Sequence, residues 1–176
     1  MNKLQLFKWL SEQQHKTIME SKKVNDEIMK SMAGTAGERM ISKLVTGRIV
    51  ARDGYDIVAE DDTKLSNGIT IKDGDRIEVK TCVTHTGGEN TAYSLSGKEE
   101  YADFIALVDL RDGPDEVMIS IIPTDVFFAD GLFMANNERF AWSGTYNKSD
   151  DQRIKNTNLF LKYKIANNVV KISEAA

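Results

Sequence analysis

The sequence predicts a domain that mixes α-helices with β-strands, and two observations predict it. Before residue 47, apolar residues recur every three or four positions, which is typical of amphipathic helices. Beyond it, short apolar runs are separated by turns that contain Gly and Asp, which is typical of strands. Helices precede the strands, and the two kinds of element alternate further on, so the class is α/β or α+β.

Helices are expected ahead of the first strand. Residues 3–32 carry apolar side chains at roughly helical spacing and contain neither Pro nor Gly. The charged residues around Glu20 to Lys23 leave open whether they form one long exposed helix or two shorter ones. A second helix is expected over residues 35–46, because Thr35 followed three positions later by Glu38 fits a capping box. Gly47 is then a natural stop at the C-terminal end of that helix.

Strands are expected over four apolar runs, at residues 48–51, 55–59, 104–110 and 117–122. In addition, residues 69–72 and residues 76–83 are expected to pair as a hairpin around an Asp73-Gly74 turn.

The other segments are predicted from turn and capping residues. Two polar segments are expected to be loops, residues 84–95 and 136–152. Ser96 followed by Glu99 is a second capping-box pattern, and it predicts a short helix at that point. A further helix is expected near residues 123–128, whereas residues 153–166 fit either a helix or an extended run.

Composition excludes several classes of protein. The chain has one cysteine, Cys82, so a fold held together by internal disulfides is excluded. No run approaches the roughly 20 apolar residues that cross a bilayer, and residues 1–16 are too polar for a secretory signal. No P-loop, dinucleotide-binding fingerprint or serine-histidine-acid pattern is present. We therefore expect a cytoplasmic protein without a membrane partner.

Charge is distributed unevenly along the chain, although the net charge is only −4. Residues 1–50 and residues 151–171 each carry an excess of four positive charges, whereas residues 53–78 carry an excess of five negative charges. Basic ends around an acidic centre suit phosphate groups at the flanks and a cation in the middle. Taken one by one, most of these charges also fit plain solvated surface.

Asp56, Glu78 and Lys80 form the pattern that indicates chemistry. Asp56 begins a short apolar run, and Glu78 and Lys80 lie two residues apart in a later one, so they share one face of a strand. If the two strands are neighbours, Asp56 can lie beside Glu78, and two such carboxylates repel each other unless a cation joins them. Mg²⁺ binds through one or two carboxylates and keeps several waters. A lysine next to it can hold the attacking water or stabilise charge on a phosphate.

This pattern resembles the PD-(D/E)XK nuclease superfamily, whose motif is an Asp, a variable gap and then Glu-x-Lys. Asp56 matches the first acid of that motif, and Glu78 and Lys80 match the Glu-x-Lys. Glu38 matches an acidic residue that the family often carries on the helix before the first strand. The resemblance covers roughly residues 35–122, where the expected order of elements also fits.

The resemblance implies an α/β fold with a restriction-endonuclease-like mixed central β-sheet flanked by α-helices, and an N-terminal helical extension. Residues 1–33 would be that extension, a candidate element for dimerisation or DNA contact, and residues 34–176 would be the nuclease domain. The chain departs from the family at Tyr55, which stands where the motif has proline. That proline makes no chemical contribution that a tyrosine would abolish.

The activity that the resemblance implies is Mg²⁺-dependent hydrolysis of DNA phosphodiester bonds by a restriction-like or phage-type endonuclease, with Mn²⁺ able to replace Mg²⁺. The metal would be held by Asp56, Glu78 and the backbone carbonyl of Val79. Lys80 would position the water, and Glu38 would support the site or add a ligand. Contacts to DNA are expected from four residues, His85, Lys148, Arg153 and Lys155. A homodimer is expected, because cutting two strands needs two sites.

Alternatives stay open for the protein and for single residues. The protein could be a Holliday-junction or other structure-specific nuclease, or a non-catalytic module on a nuclease-like fold that binds nucleic acid or protein. It could also be a scaffold protein in which the motif is a coincidence. Glu78 and Lys80 could face solvent on a strand edge, and Glu38 could serve the capping box alone. Asp75 competes as the second acid, although its position after a turn favours turn chemistry. His85 also fits a plain surface loop.

Overall fold

A computed structural model describes residues 22–82, 90–95, 99–110, 117–131, 133–136, 139–145 and 151–165. Within these residues the fold is of the mixed α/β kind, with a mostly antiparallel central sheet flanked by helices. No helix in the described part of the chain is both long and apolar enough to span a membrane.

The first described element is one helix, α1, at Lys22–Leu44. It continues through the point at which two helices were expected to meet, so Thr35 lies inside the helix and not at its start. The Thr35 hydroxyl donates to the Ser31 carbonyl at 3.2 Å, four residues back along the helix. The predicted capping box between Thr35 and Glu38 is therefore wrong. The expected domain boundary at residues 33 and 34 stays a prediction, and it falls within this helix.

Five strands form the central sheet, in the spatial order β1-β2-β5-β7-β8. They are β1 at Gly47–Arg52, β2 at Tyr55–Ala59, β5 at Arg76–Cys82, β7 at Phe104–Asp109 and β8 at Met118–Pro123. All neighbours are antiparallel except β5 and β7, which run parallel. The strands predicted from the apolar runs are confirmed to within a residue or two.

The hairpin predicted around Asp73 and Gly74 is wrong, although the turn is present. Gly74 has a φ of +87°, which favours glycine, and its N–H donates to the Ala59 carbonyl at 2.9 Å. The residues before the turn form β4 at Thr70–Ile71, which pairs with β3 at Thr63–Lys64. β5 pairs with β2 and β7 instead, because a central position buries more of its apolar side chains than a two-stranded hairpin would.

A second, three-stranded antiparallel sheet has the order β6-β10-β9. Its strands are β6 at Asn90–Leu95, β9 at Phe133–Asn136 and β10 at Arg139–Thr145. The loops predicted over residues 84–95 and 136–152 are therefore wrong where these strands lie and at residues 151–152, which begin a helix. The other parts of the two segments fall outside the described residues. β6 and β10 are distant in sequence, so a local pattern gives little sign of their pairing.

Apolar clusters cover both faces of the central sheet. Along β7, Ala106 and Val108 belong to the cluster beneath α1, whereas Ile105 and Leu107 belong to the opposite cluster. The opposite cluster includes α2 at Thr124–Asp130 and α3 at Asp151–Lys162. A 3₁₀-helix at Glu99–Tyr101 stands where the short helix was predicted. The helical alternative for residues 153–166 is thus the one observed over most of that segment.

Candidate active site

The site begins where β2 and β5 run side by side. Their antiparallel register pairs Ile57 with Ile77 and Val58 with Arg76. Asp56 directly precedes Ile57 and Glu78 directly follows Ile77, and each of the two acids shifts the pKa of the other. The two strands on which the sequence argument depended are therefore neighbours, and they bring the two acids together.

The Asp56 side chain on β2 bonds to the backbone of β5. The Val79 N–H donates to Asp56 Oδ2 at 2.8 Å. Asp56 is thereby fixed against β5 by its side chain.

Glu78 and Lys80 share one face of β5, as predicted from their spacing, and a third acid joins them there. Lys80 Nζ lies 2.6 Å from Glu78 Oε1 and 3.0 Å from Glu99 Oε1. Glu78 is 7% exposed and Glu99 is fully buried. These side chains are not on a solvent-facing strand edge, so that alternative is wrong.

Negative charge exceeds positive charge at this point of the sheet. Burial is the main cause that raises the pKa of Glu78 to about 7; Lys80 lowers it, and the charges of Asp56 and Glu99 raise it further. Burial also raises the pKa of Asp56, against the hydrogen bond from Val79 and the charge of Lys80. The ion pair with Lys80 favours an ionised Glu78, but burial beside two other acids outweighs it. Ionising all of these carboxyl groups at once is therefore unfavourable without an added cation.

Glu38 on α1 is affected by the charge of the same cluster. Burial raises the pKa of Glu38, and the charge of Asp56 raises it further. Helix capping no longer explains Glu38, because Thr35 is not a cap. The helix is held close to β5 at Gly37, where a Cβ atom would collide with the Thr81 side chain.

The backbone N–H of Val79 faces Asp56. In a β-strand, the N–H and C=O of one residue point to the same side of the strand. The Val79 N–H points to Asp56, so the Val79 carbonyl faces the same side. Asp75, the competing acid, accepts the Lys72 N–H at 2.7 Å and serves the turn, as its position favoured.

The donor set suits a hard divalent cation that keeps part of its water shell. Among the described residues, no group of three or more His, Cys, Asp and Glu side chains is arranged as a ready-made metal site. Two carboxylates and a backbone carbonyl are nevertheless oxygen ligands of the kind that Mg²⁺ prefers, with water and phosphate completing its shell. The excess of carboxylates over cationic side chains in the cluster would favour the binding of a cation.

Most of the residues predicted to contact DNA lie outside the described part of the structure. His85 and Lys148 lie outside the described residues, as does the side chain of Arg153. Lys155 is exposed on α3. Its role stays a prediction.

Glu99 is the residue that sequence reasoning missed. With Ser96 it fitted a capping box, which gave its carboxylate a local explanation. Its complete burial and its contact with Lys80 arise from packing between segments distant in sequence. No local pattern around residue 99 signals either property.

Comparisons with known proteins assign this chain to no family. A scan against protein-family models finds no match, and a search of curated proteins finds no significant match either.

Proposed function

We propose that the protein is a Mg²⁺-dependent DNA endonuclease that hydrolyses phosphodiester bonds, with a restriction-endonuclease-like fold of the PD-(D/E)XK kind. The observation that supports this best is the convergence of Asp56, Glu78 and Lys80 across β2 and β5. The acids lie on the neighbouring strands β2 and β5 and shift each other's pKa, and the Lys80 ammonium lies next to Glu78. Buried carboxylates in excess over cations are characteristic of functional sites that bind a metal.

Each of these groups would have a distinct task. Asp56 and Glu78 would hold the metal with the Val79 carbonyl, and Glu38 would support them or add a ligand. When bound, Mg²⁺ would polarise the phosphate and lower the pKa of a coordinated water. The Lys80 ammonium would donate hydrogen bonds to that water or to the phosphate oxygen that gains negative charge. Asp56 stays fixed in direction by the Val79 N–H, so its carboxylate needs little reordering when the substrate arrives.

The fold supports this assignment at a coarser level. α1 precedes the strands and carries Glu38, β2 begins with Asp56, and β5 carries Glu78 and Lys80. That order is the one expected from the family resemblance. The mixed central sheet with a parallel β5–β7 pair is compatible with it.

DNA is the proposed partner, Mn²⁺ is expected to replace Mg²⁺, and we propose a homodimer in the cytoplasm. A non-catalytic module is disfavoured because the acids and the lysine of the motif are all retained and in contact. Whether the substrate is linear duplex or branched DNA is decided by the assay below.

The test is a cleavage assay on supercoiled plasmid, single-stranded DNA and a four-way junction, each with Mg²⁺ and with EDTA. Glu78→Gln is the variant, and Glu60→Gln is its matched control, because Glu60 pairs with Arg48 on the surface. We expect Mg²⁺-dependent cleavage by the wild type and Glu60→Gln, and none by Glu78→Gln. Equal cleavage by both variants, or by the wild type in EDTA, would refute the proposal. Preference for the junction would assign a structure-specific nuclease.

A further inference from the structure

We propose that Glu99 is a positioning residue that keeps Lys80 in place when the Glu78 carboxylate turns to a metal ion. This inference rests on the proposed nuclease function and assigns to it a residue outside the motif. Glu99 would act through Lys80 and touch neither substrate nor metal.

Lys80 is held between two carboxylates that have different tasks. Its Nζ is 2.6 Å from Glu78 Oε1 and 3.0 Å from Glu99 Oε1. In the proposed function Glu78 is also a metal ligand, so a bound cation competes with Lys80 for it. In the proposed function Glu99 is not one of the metal ligands, so it can retain the ammonium group throughout the reaction.

The segment that bears Glu99 is fixed against the beginning of β5. The Ala102 N–H donates to the Glu99 carbonyl at 3.1 Å, and the Asp103 N–H donates to the Arg76 carbonyl at 2.8 Å. The Arg76 guanidinium binds both Asp103 oxygens, at 3.0 and 3.1 Å. These contacts tie the 3₁₀-helix that carries Glu99 to the strand that carries Lys80.

Because Glu99 is buried, its carboxylate needs a charged or hydrogen-bonding partner when it is ionised. An ionised carboxylate without solvent exposure costs several kcal/mol unless it is paired and well hydrogen-bonded. Lys80 supplies such a pairing, and its side chain is itself only 18% exposed. An ammonium has three donors. The two carboxylates engage two of them, and the third can point to the attacking water or to the phosphate.

Two measurements on Glu99→Gln test the proposal, with Glu60→Gln as the control for loss of a carboxylate that pairs with a cation elsewhere. The first is steady-state cleavage of plasmid DNA in saturating Mg²⁺. We expect kcat to fall at least tenfold while KM for DNA stays near its wild-type value, since Glu99 touches no DNA. The second is the lysine-ammonium NMR spectrum of ¹⁵N-labelled protein, in which the Lys80 signal is identified by its loss in Lys80→Arg. We expect that signal in the wild type with Mg²⁺ and its loss in Glu99→Gln.

An unchanged kcat in Glu99→Gln, a rise in KM alone, or a retained Lys80 signal would each overturn the proposal. If Glu99→Gln does not fold, Glu99→Asp replaces it. That variant keeps the charge and withdraws the carboxylate by one methylene, so the same two effects are expected in weaker form. Failure of the proposed function is distinguishable, because wild type and Glu60→Gln would then both be inactive. The NMR measurement would still decide whether Glu99 holds Lys80.

Discussion

The Asp56 carboxylate accepts the backbone N–H of Val79 across two neighbouring strands, at 2.8 Å. This bond fixes one acid of the candidate site directly against the strand that carries the other. It also gives Asp56 a structural task besides its proposed catalytic one. The two tasks can be separated by substitution.

Asp56→Asn and Asp56→Ala should both abolish cleavage but differ in stability. Asn retains an oxygen that can accept the Val79 N–H, whereas Ala leaves that buried donor without a partner. We expect Asp56→Ala to be less stable than Asp56→Asn by about 1–3 kcal/mol, measured by urea unfolding in EDTA. Equal stabilities would mean that the bond contributes nothing, and cleavage by either variant would remove Asp56 from the site.

Without metal, the protein should become less stable as pH rises from about 5 to 8. The pKa of Glu78 in the folded protein is raised to about 7 from an ordinary value of 4.5. Between those values the folded state binds more protons than the unfolded state, so the free energy of unfolding falls with pH. The loss should be on the order of 1–3 kcal/mol.

Urea unfolding in EDTA across that pH range measures this effect. Glu78→Gln carries no titrating group at residue 78, so its stability should vary less with pH than that of the wild type. A wild type and a Glu78→Gln variant with parallel pH profiles would contradict the assigned charge state of Glu78.

Mg²⁺ should stabilise the folded protein at pH 8, where the acids are ionised. A ligand that binds only the folded state at about 100 times its Kd adds about 2.7 kcal/mol. Thermal unfolding with increasing Mg²⁺ measures this, with Glu78→Gln and Glu60→Gln compared. We expect the shift to be lost in Glu78→Gln and kept in Glu60→Gln. An equal shift in all three proteins would indicate binding elsewhere.

The close packing of α1 on β5 can be tested by a matched pair of glycine substitutions in the helix. A Cβ atom at Gly37 would collide with the Thr81 side chain, whereas nothing lies within 4 Å of one at Gly34. Gly37→Ala should therefore destabilise the protein by about 1–3 kcal/mol. Gly34→Ala should stabilise it by up to about 1 kcal/mol, because alanine favours the helix. Both are measured by thermal unfolding.

Shortening the Thr81 side chain should restore part of the stability that Gly37→Ala loses. Thr81→Ala deletes the hydroxyl that meets the Gly37 Cβ, and this hydroxyl is buried without a hydrogen-bond partner among the described residues. The double variant Gly37→Ala/Thr81→Ala should be more stable than Gly37→Ala alone. If it were not, the contact between residues 37 and 81 would not set the helix position.

Much of the central sheet could be predicted from the sequence, because its strands are short apolar runs between turns. The face shared by Glu78 and Lys80 followed from strand geometry alone. Thr35 and Glu38 misled the helix prediction, since a capping-box pattern also occurs inside a helix whose packing sets its ends. The hairpin prediction around Asp73 was wrong for a similar reason. The turn depends on local residues, whereas the pairing of β5 depends on which neighbours bury its apolar side chains.

Among the candidate site residues, the sequence indicated those that follow a strand period or a family motif. Glu99 follows neither. It is brought to Lys80 by the parallel pairing of β5 with β7 and by the bonds between Arg76 and Asp103, and these contacts join segments that are distant in sequence. A buried carboxylate of this kind can be identified only from the three-dimensional structure.

The most direct measurement of the central claim is the single-turnover rate of DNA cleavage in Mg²⁺ by Lys80→Met and by Lys72→Met. Lys72 is an exposed lysine that pairs with Asp62, so its loss controls for the removal of a positive charge from the surface. If Lys80 stabilises the reacting phosphate or water, Lys80→Met should lower the rate by about 10²–10³-fold, and Lys72→Met should cleave at nearly the wild-type rate. Cleavage by Lys80→Met at the rate of Lys72→Met, in protein free of contaminating nuclease, would contradict the account.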